Sequence, residues 1–334
     1  MVSALPERLP RAPYRTYEAL GRRAVRYRVV VDWTVVGRMR DELVICTKDR
    51  PDELLTCLES VARQTRTPQR VVVVESGSRR ASTEAVDAIL GVAGIPYVRF
   101  CTDPGLTLQR NVALDNLLNS TDVVHFVDDH TILEPEYLEQ MVLALSEEPG
   151  VAGATGFITN LPTHRPWLWR RLSLLDGGDG QVLRSGVNIL NFRPGGRADV
   201  QWTSGCSMSF RTDRSAGLRF DERRPGNGLG EDVDFSLRAS SRGRLVYVGD
   251  ARLAHVQSPV NRDGVFDVYR RGVHHRWLLA SDGLGGVTRA SIAYSVVVGG
   301  ALGILVHVLK GSRYGVRTHL AQIRGLADVL RRRA

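Results

Sequence analysis

Cysteine is scarce and unpatterned. The four cysteines, Cys46, Cys57, Cys101 and Cys206, form no CxxC pair and no zinc-ligand spacing, which argues against a zinc module and against a secreted disulfide scaffold. They read as reduced thiols of a cytosolic compartment. Residues 1–40 carry many arginines but no apolar run long enough for a signal peptide. No glycine-rich phosphate loop follows the first strand, where Thr47-Lys48-Asp49-Arg50 stands instead; a nucleotidyltransferase is expected to carry one. Zinc-finger, RNP and helix-turn-helix signatures are missing too, so nucleic acid is not an expected partner. What is present is an ordinary globular composition, 43% hydrophobic and 24% charged, in a chain of 334 residues that can bury a full core. The net charge is +9 and the pI about 9.8. That balance either favours anionic partners, such as phosphorylated substrates and acidic lipids, or reflects an arginine-rich surface.

Residues 1–40 read as an N-terminal extension, with Pro6, Pro10 and Pro13 breaking any early helix and Arg26–Trp33 forming one strand. From residue 42 the pattern becomes regular. Glu42–Cys46, Arg70–Val74, Tyr97–Cys101, Val123–Val127 and Val151–Ile158 predict strands. Between them, Asp52–Gln64, Thr83–Val92, Thr107–Leu118 and Pro135–Ser146 predict helices. In the first of these, Leu54, Leu55, Leu58, Val61 and Ala62 recur at helical spacing behind Pro51. Such alternation predicts an α/β fold with a mostly parallel central sheet and helices on both faces. Ligands of such sheets bind beyond the carboxyl ends of the strands, here the loops after Cys46, Val74 and Val127. Residues 160–200, rich in Gly, Pro and Arg, read as an insertion or mobile loop. Trp167, Trp169 and Trp202 suit either a sugar-stacking surface or a core.

Three groups of residues carry chemistry. Asp128-Asp129-His130 follows the apolar run VVHFV. Two carboxylates at a strand end either hold a cation, with Mg²⁺ or Mn²⁺ on a diphosphate as the fitting one, or cap the next turn. Gly228-Leu229-Gly230-Glu231-Asp232 opens a helix over Asp232–Arg242. Acids suit a helix start, and the glycine-rich approach from Pro225 also suits a loop that closes over substrate and presents a general base. His255, in the strand-like Arg252–Val256, can return to the same edge; a satisfied buried histidine is the other reading.

In order along the chain, the segments from about 42 to 256 resemble the family 2 glycosyltransferases. Val44-Ile45-Cys46-Thr47-Lys48-Asp49-Arg50-Pro51 resembles that family's first strand and turn, Cys57–Thr65 the helix after it, and Val73-Val74-Glu75-Ser76-Gly77-Ser78 its second strand end. Gly105 with Arg110-Asn111 is similar to the helix that follows, and Phe126-Val127-Asp128-Asp129-His130 stands where the family has its DXD motif. Ser204–Arg211 resembles the acceptor-side strand, and Phe220-Asp221-Glu222 with Gly230-Glu231-Asp232 the stretch that carries the base.

The resemblance implies a GT-A type fold over residues 41–258, with 41–158 as nucleotide-binding half and 159–258 as acceptor half. It implies an inverting transferase that moves a sugar from a nucleoside-diphosphate sugar to a saccharide or lipid-linked hydroxyl acceptor, in cell-envelope polysaccharide or glycolipid synthesis. Thr47, Asp49 and Arg50 would line the nucleotide pocket, Glu75 would contact the base, and Arg110 would lie near the diphosphate. Asp128 and Asp129 would face the donor. Asp128, His130 and His255 would bind the metal, Mn²⁺ or Mg²⁺, and Asp232 would be the base, supported by Glu231. The sequence departs from the family at Cys46, usually proline, and at Glu75, usually Asp. His130 replaces the last acid of the motif, a softer and uncharged ligand that implies weaker metal binding or a preference for Mn²⁺. The competing classes are a nucleotidyltransferase-like protein and a non-catalytic nucleotide-sugar or nucleic-acid binder.

Residues 259–334 are expected to form a helical, membrane-associating appendage. Ser291–Leu309 is the most apolar run, borderline for a span and flanked on both sides by basic residues such as Arg289, Lys310 and Arg313. It reads as an interfacial or re-entrant helix, a true span, or a buried helix of a subunit contact. The tail ending Arg331-Arg332-Arg333 suits an anionic membrane surface. The expected location is the cytoplasm, peripheral to or anchored in the inner face of the cell membrane.

Overall fold

A computed structural model describes residues 14–19, 25–30, 37–148, 150–161, 167–190, 193–224, 226–256 and 264–331, the first two segments as backbone alone. Pro225, Arg332 and Arg333 lie outside the described residues. Strands β1 (Tyr14–Ala19) and β2 (Val25–Val30) pair antiparallel. The regular alternation follows as β3 (Asp41–Lys48), α1 (Pro51–Ala62), β4 (Arg70–Ser76), α2 (Thr83–Val86), β5 (Tyr97–Cys101), α3 (Leu106–Asp115) and β6 (Val123–Asp128). Next come β7 (Thr131–Leu133), α4 (Tyr137–Glu147), β8 (Val151–Ile158), α5 (Leu168–Leu172), β9 (Arg197–Val200) and β10 (Met208–Arg211). The chain continues through α6 (Thr212–Ser215), α7 (Glu231–Ala239) and β11 (Arg244–His255) to three long helices, α8 (Val265–Ser281), α9 (Arg289–Leu309) and α10 (Arg313–Arg331).

Local chemistry explains the nucleotide half. Val71 to Val74 are wholly buried, as the unbroken valine run of a strand covered on both faces requires. Pro51 starts α1, where its missing N–H costs nothing. The predicted second helix continues from α2 as a π-helical turn, Asp87–Gly91. The sheet order is β2-β1-β9-β11-β8-β10-β6-β3-β4-β5, with β7 on β11. Strands β5, β4, β3 and β6 run parallel. Beyond them β10 is antiparallel to both β6 and β8, while β8 and β11 are parallel. Register sets Cys46 beside both Val74 and Asp128, and Thr47 beside Glu75. The three loops singled out by sequence therefore leave one carboxyl edge together.

One core packs α1 and α4 against one face of the sheet; a second, with Ala113 of α3 and Phe235 of α7, packs the other. A third joins Trp202 and Val233 to Val273, Ile292 and Leu326 of the C-terminal helices. Trp202 is thus a core residue, and its indole N–H donates to the Ile189 carbonyl at 3.1 Å.

The stretch 160–200 is more ordered than a mobile loop. Its described part holds α5 and β9, and β9 pairs with β1 and β11. A four-residue strand is too short for an alternating pattern to reveal. The predicted strand at Arg252 is the end of the twelve-residue β11, whose register shifts between Val248 and Arg252. Gly249 masks this continuity in the sequence: a Cβ there would meet the Gly195 carbonyl oxygen at 2.1 Å, so only glycine permits the approach.

Candidate active site

The site forms where the carboxyl edge meets the start of α7. Asp49 has φ of +55°, and its carboxylate accepts the backbone N–H groups of Ser78 and Arg79 at 2.7 and 2.8 Å. Those bonds hold its pKa below the usual carboxylate range, with the Arg79 N–H as the leading cause. Gly77 completes this turn, since a Cβ there would overlap the Asp49 carboxylate at 2.4 Å. Glu75 is buried and salt-bridged to Arg99 at 2.7 Å through Oε2; its Oε1 has no hydrogen-bond partner.

Asp129 organises the next layer. It accepts the Thr47 hydroxyl at 2.7 Å, Arg50 at 3.2 Å and His130 Nδ1 at 2.6 Å. With the Nδ1 proton directed to Asp129, His130 Nε2 carries a lone pair, and it faces His255 Nε2 at 2.8 Å. His255 Nε2 is also 3.4 Å from Asp128. His255 Nε2 is therefore within reach of both the His130 ring and the Asp128 carboxylate, and Asp129 behind His130 fixes that ring's orientation, as in metal sites. Burial opposes charge on His130, but the Asp129 hydrogen bond and the Asp128 and Asp129 charges outweigh it and raise its pKa.

Arg110 joins this group to the second one. It is 2% exposed and contacts Glu231 at 2.5 Å, the Gly205 carbonyl at 2.8 Å and Asp128 at 3.4 Å. Burial and the adjacent Asp232 charge push Glu231 up to about 8, against the pull of Arg110. Asp232 moves the same way, chiefly by burial, and such a pair titrates as a unit. Asp232 accepts the Gly205 N–H at 2.9 Å and the Val233 N–H at 2.8 Å, and it is the less buried of the two acids. Arg110, Asp128, Glu231, Asp232 and His255 all line one cavity of about 490 Å³.

The structure thus brings Thr47, Arg50, Arg110, Asp128, Asp129, His130, Glu231, Asp232 and His255 into one connected network, with Asp49 and Glu75 at the adjoining strand ends. Two participants escaped the sequence reading. Gln109 Nε2 donates to the Thr47 and Val74 carbonyls at 2.9 and 2.7 Å, tying β3 to β4 at their carboxyl ends. His275 of α8 packs under Gly230, whose Cβ would fall 2.0 Å from its ring.

The family model of glycosyl transferase family 2 matches residues 42–215, more than half of the chain. The chain belongs to glycosyl transferase family 2. An N-acetylglucosaminyltransferase of Bradyrhizobium diazoefficiens is 28% identical over 137 residues, 40% of this chain and 28% of that protein's length. The chain therefore spans little more than a quarter of this curated relative. Among solved structures, the mannosyltransferase PcManGT of Pyrobaculum calidifontis, in complex with GDP-Man and Mn²⁺, has a TM-score of 0.56 at 14% identity, covering 92% of this chain and 90% of that one. GalNAc-T7, solved with UDP, GalNAc and Mn²⁺, has a TM-score of 0.52 at 13% identity, covering 73% of this chain and 51% of that one. At these identities the likeness is one of fold, and the fold is the GT-A type.

Proposed function

We propose that this transferase is inverting: it moves a sugar from a nucleoside-diphosphate sugar to a hydroxyl of a saccharide or lipid-linked acceptor, in cell-envelope polysaccharide or glycolipid synthesis. The observation that supports this best is the meeting of Asp232 with Asp128 on one cavity across Arg110. Asp232 accepts the proton of the acceptor hydroxyl. That oxygen bonds to the anomeric carbon as the bond to the diphosphate oxygen breaks on the opposite face. Glu231 holds Arg110 in place, and Arg110 fixes Asp128. Thr47, Asp49 and Arg50 form the nucleotide side, and the unpartnered Glu75 Oε1 is an acceptor for an N–H of the base.

Asp128, His130 and His255 suit a divalent metal, Mn²⁺ ahead of Mg²⁺, because two of the three donors are imidazoles. Bound there, the cation would offset the charge of the leaving diphosphate. UDP, GDP, dTDP and CDP, each with Mn²⁺, Mg²⁺ or EDTA, test the donor site by thermal shift. One of them at 100 times its Kd should add about 2.7 kcal/mol of stability, and only with metal. No stabilisation by any diphosphate would rule the donor site out.

The C-terminal helices supply the membrane side of the proposal. Helix α9 is long and apolar enough to cross a membrane, but a third of its apolar window is buried in the fold. Ile292, Ser295, Val296, Gly299 and Gly303 face inward. Val297, Leu305, Val308 and Leu309 are exposed along the opposite face. Leu168 and Leu172 of α5 extend this apolar patch, with the Tyr294 hydroxyl on the Leu172 carbonyl at 3.1 Å. Lys310 sits 4.3 Å over the half-exposed Trp167 ring. An amphipathic face edged by Trp, Lys and Arg suits the anionic cytoplasmic surface of a membrane, lying on it rather than crossing it. Leu305→Glu with Val308→Glu should weaken sedimentation with phosphatidylglycerol vesicles by roughly tenfold or more while preserving diphosphate binding. Equal sedimentation of variant and parent would remove this surface from the proposal.

A further inference from the structure

A third kind of ligand atom faces the metal position. Cys206 precedes β10 and is buried, and its Sγ, a carboxylate oxygen of Asp128 and a ring nitrogen of His255 all lie within 4.8 Å of one another. His130 Nε2 lies 2.8 Å from that of His255 but outside this group of atoms. The thiol is only loosely engaged by protein, with Ser204 Oγ at 3.5 Å. An imidazole, a carboxylate and a thiol make a donor set suited to tetrahedral Zn²⁺ or Co²⁺, whereas Mg²⁺ calls for oxygen donors in an octahedron.

We propose that Cys206 is a metal ligand which, together with Asp128 and His255, holds Zn²⁺ at this position when no donor nucleotide is bound. The inference rests on the reading of Asp128 and His255 as ligands and adds a thiolate to them. Coordination releases the thiol proton to water. A thiolate in the shell favours Zn²⁺ over Mg²⁺ and Mn²⁺, which take harder oxygen donors. Zn²⁺ thereby becomes an inhibitor competing with Mn²⁺ for Asp128 and His255.

Co²⁺ is the probe. Titrated into the full chain without nucleotide, it should give a near-ultraviolet thiolate-to-cobalt band and the visible bands of a tetrahedral site. Cys206→Ser should abolish the thiolate band, and Zn²⁺ affinity should fall by at least the ~10–100-fold that loss of a supporting partner costs a metal site. Cys46→Ser and Cys57→Ser, which remove the other thiols near Asp128, should keep the band. A parent protein that binds Co²⁺ without a thiolate band overturns the proposal even if no variant folds, as does a band that survives in C206S; both leave the reading of Asp128 and His255 as ligands standing. A parent that binds no Co²⁺ overturns both.

Discussion

Asp232→Asn is expected to lower turnover by about 10²–10⁴-fold, the usual contribution of a positioned general base, while binding of the nucleoside diphosphate stays unchanged. The separation follows from where Asp232 sits. It touches Gly205 and Val233 on the acceptor side of Arg110, and none of the groups on the nucleotide side. Asparagine keeps the shape but turns one acceptor into a donor facing a backbone N–H, so Asp232→Ala is the companion variant. Both are read by steady-state turnover, with diphosphate binding measured in parallel by thermal shift. Full turnover in either would remove Asp232 from the role of base and leave Glu231 as the acid to examine.

Gly230→Ala should be nearly as damaging, at roughly 10²-fold in turnover, because a displacement of about 1 Å in a catalytic group is enough for that loss. Gly230 has φ of +76°, a left-handed conformation that costs other residues about 1–2 kcal/mol. Its added Cβ would also fall 2.0 Å from the His275 ring. That ring is buried and fastened by Arg224 at 2.5 Å, so the backbone must yield, and Glu231 and Asp232 are the next two residues. Adding His275→Ala should recover part of the turnover by making room for the methyl group. A Gly230→Ala enzyme with parental turnover would show that the start of α7 is not held where it acts.

Much of this was legible in the sequence because it is local. Helical and strand periodicities located β3 through α4, and the polar residues after each strand sit at the carboxyl edge because parallel register aligns strand ends. Asp128-Asp129-His130 and Glu231-Asp232 were visible as acids placed where a core has no use for them. What stayed hidden depends on distant segments meeting. Gln109 looks like one more polar residue on the surface of a helix, yet it is buried and bonds two strand ends. His275 lies in the basic stretch Arg270–Arg276 of α8, where nothing in the spacing points to Gly230. Cys206 looks like a packing residue; only the arrival of His255, at the end of β11, gives its sulfur a neighbour worth coordinating with. The appendage hid its nature for a related reason: composition alone does not say which face of α9 the other helices cover.

Arg110 also has a meaning for how such enzymes can be recombined. Its guanidinium holds Asp128 from the first half of the domain and Glu231 and Gly205 from the second. A chimaera that joined the first half of this chain to the second half of a relative would inherit a buried cation without its counter-charge, or a buried acid without its cation. The two halves are therefore exchangeable only between parents that agree at positions 110, 128 and 231, however similar their sheets.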